Sequence, residues 1–251
     1  MTRCNPYRLV GGAVFMGVIF SLSACGGSSS SGFVSGPPAT TPPPTTTPPP
    51  TTPPPTTAPP TTAPPITLPP ATPLPPPDLT SFNRQVAQGR EDFAALLDTP
   101  VLPIAKLPVI GSASYSGVAL YKTASSVSGL PGDVMVDRIL ESPSMSSDIS
   151  LFANFGADSI SGNLTGFNDS TTGSFSGFVS IQNGKIFEGN SGESEFEGDL
   201  SGYVFKNVTS SNTTGAIYGG FGGSVTPDVA GGAMYLNMGA GDQFLGIFSA
   251  D

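Results

Sequence analysis

Glu195-Phe196-Glu197-Gly198-Asp199-Leu200-Ser201-Gly202-Tyr203-Val204 interleaves two kinds of residue, one position at a time. In an extended chain successive side chains point to opposite faces. Phe196, Gly198, Leu200, Gly202 and Val204 therefore share one face, opposed by Glu195, Glu197, Asp199 and Ser201. Such a strand needs an apolar layer on one side and water on the other.

The pattern recurs outward in both directions. Tyr115, Gly117, Ala119 and Tyr121 share a face near the start of the region, and Ile149, Leu151, Ala153 and Phe155 alternate with Asp148, Ser150 and Asn154. Ile160, Gly162, Leu164 and Gly166 alternate with Ser159, Ser161, Asn163 and Thr165, and Phe175, Gly177, Val179 and Ile181 with Ser174, Ser176 and Ser180. Asn183-Gly184 predicts a type I′ hairpin turn, because both positions of that turn need positive φ. Segments Ala216 to Gly223, Ala230 to Met238 and Phe244 to Ala250 complete eight or nine strands. So many consecutive two-faced strands need a second sheet or closure of one sheet on itself, and closure also removes both edges. Glycine at every other apolar-face position suits the bending of a small barrel. The fold class expected is mainly β: one closed 8-stranded (8–9) antiparallel β-barrel with an apolar, side-chain-filled interior. An outer-membrane barrel, with the oily face outward in lipid, is the rival arrangement.

Ahead of the barrel, 78–111 predicts a short amphipathic helix and a lead-in. Phe82, Val86, Phe93 and Leu97 form one stripe with Leu96 beside it, Thr80 or Ser81 can cap the start, and Pro100 enforces the stop. Asp78 to Asp98 reads as the only helix. Gly89 costs it about 1 kcal/mol relative to alanine, so it needs a surface to dock on.

The N-terminus speaks of location. Arg3 and Arg8 precede an apolar run from Leu9 to Ala24, too short and too glycine-interrupted for a permanent membrane helix. Leu22-Ser23-Ala24-Cys25 resembles a bacterial lipobox, which implies a signal peptide over 1–24, cleavage before Cys25 and a lipid on its thiol. Acyl chains anchor stably because each buried methylene contributes roughly 0.8 kcal/mol. Residues 25–77 then form a linker, Gly/Ser-rich and afterwards proline-threonine-rich, and 21 of the 28 prolines fall between Pro37 and Pro77. Too little there is apolar to offset chain entropy, so a disordered stalk is expected, with a reach of about 130 Å if extended as polyproline II. The expected location is the bacterial outer membrane, lipid-anchored, facing either the surface or the periplasm.

Composition removes several functions. The chain has no histidine, and its two cysteines, Cys4 and Cys25, lie before the folded region. Disulfides, His/Cys metal sites and Ser-His-Asp or Cys-His catalysis are excluded there. Without Arg3 and Arg8 the remainder carries seven basic against eighteen acidic residues, a net of about −11. Such a chain is repelled by nucleic acid, whose binding rests on phosphate neutralisation. Expected, then, is a non-enzymatic monomer with no metal, cofactor or nucleic-acid partner, tied to the membrane by its lipid and binding a protein or solute ligand. A structural envelope lipoprotein is the alternative.

Three local features remain. Glu193, Glu195, Glu197 and Asp199 share a strand face that reads as solvated. Gly219-Gly220-Phe221-Gly222-Gly223 lacks the Lys-Ser/Thr of a phosphate loop and reads as strand and bend. Tyr115, Tyr121, Tyr203, Phe205, Tyr218 and Phe221 are divided between barrel packing and partner contact.

Ser112-Ala113-Ser114-Tyr115-Ser116-Gly117-Val118-Ala119, Ile160-Ser161-Gly162-Asn163-Leu164, Gly215-Ala216-Ile217-Tyr218-Gly219, Asp228-Val229-Ala230-Gly231-Gly232 and Gly246-Ile247-Phe248 carry a family likeness. They resemble the C-terminal β-barrel domains of transferrin-binding protein B and related surface lipoproteins, including factor H binding protein. The resemblance covers roughly Phe82 to Asp251. It implies the same barrel, a single-barrel member and a binding role connected with nutrient (iron) acquisition. Transferrin-binding members have two lobes and contact the host protein mainly through N-lobe loops, so no ligand-contacting residue transfers to this chain.

Overall fold

The computed structural model describes residues 77–206, 209–239 and 241–251. The signal peptide, the lipobox (Leu22, Ser23, Ala24), Cys25 and the linker up to residue 76 lie outside the described residues. The element order is α1 (Thr80–Asp98), β1 (Ser112–Thr123), α2 (Ala124–Val127), α3 (Gly132–Glu141), β2 (Met145–Asn154), β3 (Ser159–Asp169), β4 (Gly173–Ser174), β5 (Ser176–Glu188), β6 (Ser194–Lys206), β7 (Thr209–Gly222), β8 (Val229–Asn237) and β9 (Gln243–Ala250).

Eight strands close into a ring. β1 pairs with β2 and β9, β2 with β3, and the sequence runs on through β5, β6, β7 and β8 back to β9. Every pairing is antiparallel, with Ile149 opposite Leu164 in the β2–β3 seam. The two-residue β4 pairs with the end of β3.

The alternating pattern resolves as expected. Phe196, Leu200 and Val204 point into the cylinder, and Tyr115, Ala119, Ile149, Leu164, Val179, Ile217, Met234 and Phe248 join them in one buried cluster. Phe221 is the hub of its aromatic end, with ring centroids 5.8 Å from Tyr115, 5.7 Å from Phe155 and 5.2 Å from Phe196. Outside, β2, β3, β5 and β6 present Ser150, Ser161, Asn163, Ser180, Gln182, Glu197 and Asp199. Phe152, Phe178, Phe187, Tyr203 and Phe205 are exposed among them, so polar and charged positions interrupt the outer wall, where a membrane-spanning barrel carries a continuous apolar band. The lead-in tucks Leu102 into one end: its N–H donates to the Phe221 carbonyl at 2.9 Å, and its own carbonyl accepts from the Ser194 N–H at 2.9 Å.

Three expectations need correction. Asn183-Gly184 is not a hairpin turn but lies inside β5, at a register shift between Gln182 and Lys185. Asn183 has φ 53°, which asparagine tolerates. A Cβ on Gly184 would stand 2.0 Å from the Ile160 carbonyl oxygen, so only glycine fits. The bulge thus uses positive φ at Asn183 alone, and needs glycine at 184 for close backbone approach. The β5–β6 turn comes later, where the Gly189 N–H donates to the Glu193 carbonyl at 2.8 Å. Second, α1 is not the only helix, since α2 and α3 are inserted between β1 and β2. Third, the buried stripe of α1 runs through Leu96 rather than Leu97, and includes Gln85 and Gly89. The helix starts at Thr80, whose N–H bonds the Asp78 carboxylate at 2.9 Å, without a side-chain bond from its N-cap, Leu79.

α1 docks on the outside of the wall. β1 and β9 are apolar on both faces. Val118, Leu120, Leu245 and Ile247 point outward and bury against Phe82, Val86, Phe93 and Leu96, with Met135 and Ile139 of α3 completing a second core. Gly89 brings the helix close, since a Cβ there would lie 3.0 Å from Leu120 Cγ. Gln85 supplies the polar lock. Its Nε2 donates to Asp148 Oδ1 at 2.7 Å and to the Gly166 carbonyl at 3.0 Å. Its Oε1 accepts from Ser146 Oγ and Asn168 Nδ2, both at 2.7 Å. Arg90 ties α1 to α3 by donating to the Leu140 and Glu141 carbonyls at 2.7 and 2.8 Å.

Candidate functional site

With the interior filled and one side of the wall strapped by α1 and α3, the outer faces of β5 and β6 remain open. Four aromatic side chains stand on them: Phe178 at 43% exposure, Phe187 at 37%, Tyr203 at 45% and Phe205 at 43%. Pairing across the sheet gathers three. Phe178 lies directly opposite Tyr203, and the Tyr203 and Phe205 rings meet edge-on with centroids 5.3 Å apart.

Glu195, Glu197 and Asp199 continue the same face of β6 away from these rings. The buried Ser194, Phe196, Gly198 and Leu200 between them confirm that the carboxylates point outward, as expected. Opposite Glu195, Glu197 and Asp199 on β5 stand Phe187, Lys185 and Gln182. The bulge sets that alignment. Before it the even-numbered Gln182 faces out, whereas after it the odd-numbered Lys185 and Phe187 do, while Ile186 turns inward. Asn183 Nδ2 donates to Asp199 Oδ2 at 2.9 Å, which holds the middle of the stripe. Glu193 lies at the turn, where its Oε2 accepts the Ser191 N–H at 3.1 Å.

The local field is negative. Burial holds the Glu195 carboxyl above the usual carboxylate range, and Glu193 adds to the effect. On β7 the Tyr218 phenol, opposite Glu197, is pushed up by burial and then by Glu197 and Asp199. Among the described residues no three His, Cys, Asp or Glu side chains gather into a metal-ligand set. Gly219, Gly220, Phe221 and Gly222 belong to β7, and Gly223 follows it.

The structure divides the six aromatics singled out from the sequence. Tyr115, Tyr121 and Phe221 are buried, Tyr218 is half-buried on the outer wall, and Tyr203 and Phe205 are exposed. Phe178 and Phe187 were missed. Phe178 carried a readable signal, because it occupies the polar phase of its strand between Ser176 and Ser180.

No protein-family model matches the sequence, and no curated protein matches it. Among solved structures the chain is similar to a double mutant of the vaccine antigen transferrin binding protein B (TbpB) from Haemophilus parasuis. Identity is 17%, the match covers 60% of this chain and 27% of that one, and the TM-score is 0.36. The chain thus spans about a quarter of the TbpB chain.

Proposed function

We propose that this protein is a lipid-anchored lipoprotein of the bacterial outer membrane whose barrel is a non-enzymatic binding module. Cys25 is the lipidation site after Leu22-Ser23-Ala24, and the proline-threonine tract holds the module away from the bilayer. The observation that carries the reading is the exposure of Phe178, Tyr203 and Phe205 together on the outer wall, on two adjacent strands. Aromatic side chains are enriched at protein interfaces, where a large rigid surface is buried at low entropic cost. The filled interior directs recognition to the loops and the outer strand faces. The family resemblance implies a link to nutrient (iron) acquisition, so apo- and iron-loaded transferrin belong among the probes for a protein or solute ligand.

The test uses the chain from residue 25 onward, with Cys25→Ser, as bait against envelope and extracellular fractions. Reproducible recovery of one partner supports the module. Recovery of none favours the second reading, a structural envelope lipoprotein whose tract acts as a spacer. Metabolic labelling with a fatty acid tests the anchor, and incorporation that survives Cys25→Ser contradicts it.

A further inference from the structure

The exposed aromatics define more than a generic surface, because what surrounds them restricts what can cover them. Among the described residues every strand of the ring has a neighbour on both sides, and only short stretches, such as 112–115 of β1 and 209–213 of β7, lack a partner on one of them, so the outer wall of β5 and β6 between those ends is reached through side chains and not by strand addition. On this part of the wall recognition runs through outward side chains.

Along β6 those side chains are graded. Glu195, Glu197 and Asp199 come first, then Ser201, then Tyr203 and Phe205. The row extends over roughly 33 Å at about 3.3 Å per residue. Lys185, opposite Glu197, offsets one of the three carboxylates. An anionic lipid surface or a nucleic acid would meet this stripe with like charge. A second copy of the chain fits no better. A parallel arrangement sets carboxylate on carboxylate, and an antiparallel one buries carboxylates on aromatic rings with no counter-charge. The complementary occupant is a protein segment that carries both cations and apolar side chains.

Resting on the binding-module reading, we propose that the outer wall of β5 and β6 binds an extended basic segment of another protein. Its Lys or Arg side chains meet Glu195, Glu197 and Asp199, and its apolar side chains cover Phe178, Tyr203 and Phe205. The aromatic end supplies contact area, and the acidic end sets direction and attracts the partner over a distance that salt shortens.

A synthetic peptide of about twelve residues, long enough to follow β6, serves as the probe. It carries alternate lysines in one half and alternate leucine and phenylalanine in the other. It is titrated into the isotope-labelled chain from residue 25 onward while amide shifts are followed. The expected result is saturable perturbation centred on Phe178 and on Glu195 to Phe205. Tyr203→Ser with Phe205→Ser should weaken it about tenfold or more, as loss of aromatic anchors does. Raising salt from about 0.05 to 0.5 M should also weaken it. A peptide with glutamate in place of lysine should not bind. No perturbation at millimolar peptide, shifts centred on another face, or equal binding of the glutamate peptide overturns the proposal. Failure here is separable from failure of the module reading. If a captured partner is recovered equally well by Tyr203→Ser/Phe205→Ser and by Glu195→Lys/Glu197→Lys, the module stands and this surface is wrong. If wild-type chain captures nothing, the module reading fails on its own.

Discussion

Replacing Gln85 by leucine keeps the volume of the side chain and deletes the polar lock between α1 and the barrel. Four hydrogen bonds are lost, but the damage is unequal. Asn168 Nδ2 and the Gly166 carbonyl still have each other at 2.9 Å. Ser146, fully buried, is left with a hydroxyl that has lost its acceptor, and half-buried Asp148 loses its donor. An orphaned buried polar group costs about 1–3 kcal/mol, so with Asp148 discounted for partial solvation the total is about 2–4 kcal/mol. Against a global stability of about 5–15 kcal/mol this weakens α1 without dissolving the barrel. Hydrogen exchange is the assay. Amides of residues 80–98 should exchange markedly faster, while those of β6 and β7 change little. Ser146→Ala provides a sharper test. In the native background that change removes one of two donors to Gln85 Oε1 and should cost about 1 kcal/mol. In the Gln85→Leu background it removes an orphan and should be neutral or stabilising. Equal cost of Ser146→Ala in both backgrounds would refute the account.

Other perturbations have equally defined outcomes. Gly184→Ala drives a Cβ into the Ile160 backbone, which cannot move aside as a side chain would. It should cost at least about 2 kcal/mol in urea unfolding, against about 1 kcal/mol for Asn183→Ala. Phe221→Ala opens the aromatic hub and should cost about 3–5 kcal/mol, whereas Tyr203→Ser and Phe205→Ser should each stay within about 1 kcal/mol. Comparable losses inside and outside would contradict the assigned facing. Glu195 binds its proton more tightly folded than unfolded, so its contribution to stability falls as pH rises from its ordinary range through its raised folded value. Glu195→Gln should therefore gain on the native chain as pH rises through that window, measured by urea melts, and a gain toward acid pH would reverse the sign.

Much of the barrel was legible because a strand with one wet face must alternate, and 195–204 does so without a break. The docking site of α1 was also written in the chain, though less plainly. Val118-Ala119-Leu120-Tyr121 and Phe244-Leu245-Gly246-Ile247-Phe248 abandon alternation because both their faces are buried. α3 escaped notice because Met135, Val136, Ile139 and Leu140 show helical spacing over only ten residues, shorter than the window in which periodicity stands out. Asn183-Gly184 misled because the same pair that suits a tight turn also suits a bulge, where Asn183 takes the positive φ and Gly184 leaves room for the Ile160 backbone. The aromatic cluster was half visible. Tyr203 is a candidate from the sequence, but its place opposite Phe178 depends on a register that only the fold supplies.

Recognition through the outer wall at β5 and β6 is open to test in intact cells. The most direct measurement places a photo-crosslinking amino acid at Tyr203 in one strain and at Ser150 on β2 in another, and illuminates intact cells supplied with extracellular fraction. The account predicts one discrete adduct from position 203, diminished by Glu195→Lys/Glu197→Lys, and none from position 150. An adduct from position 150 alone, or equal adducts from both, would contradict it.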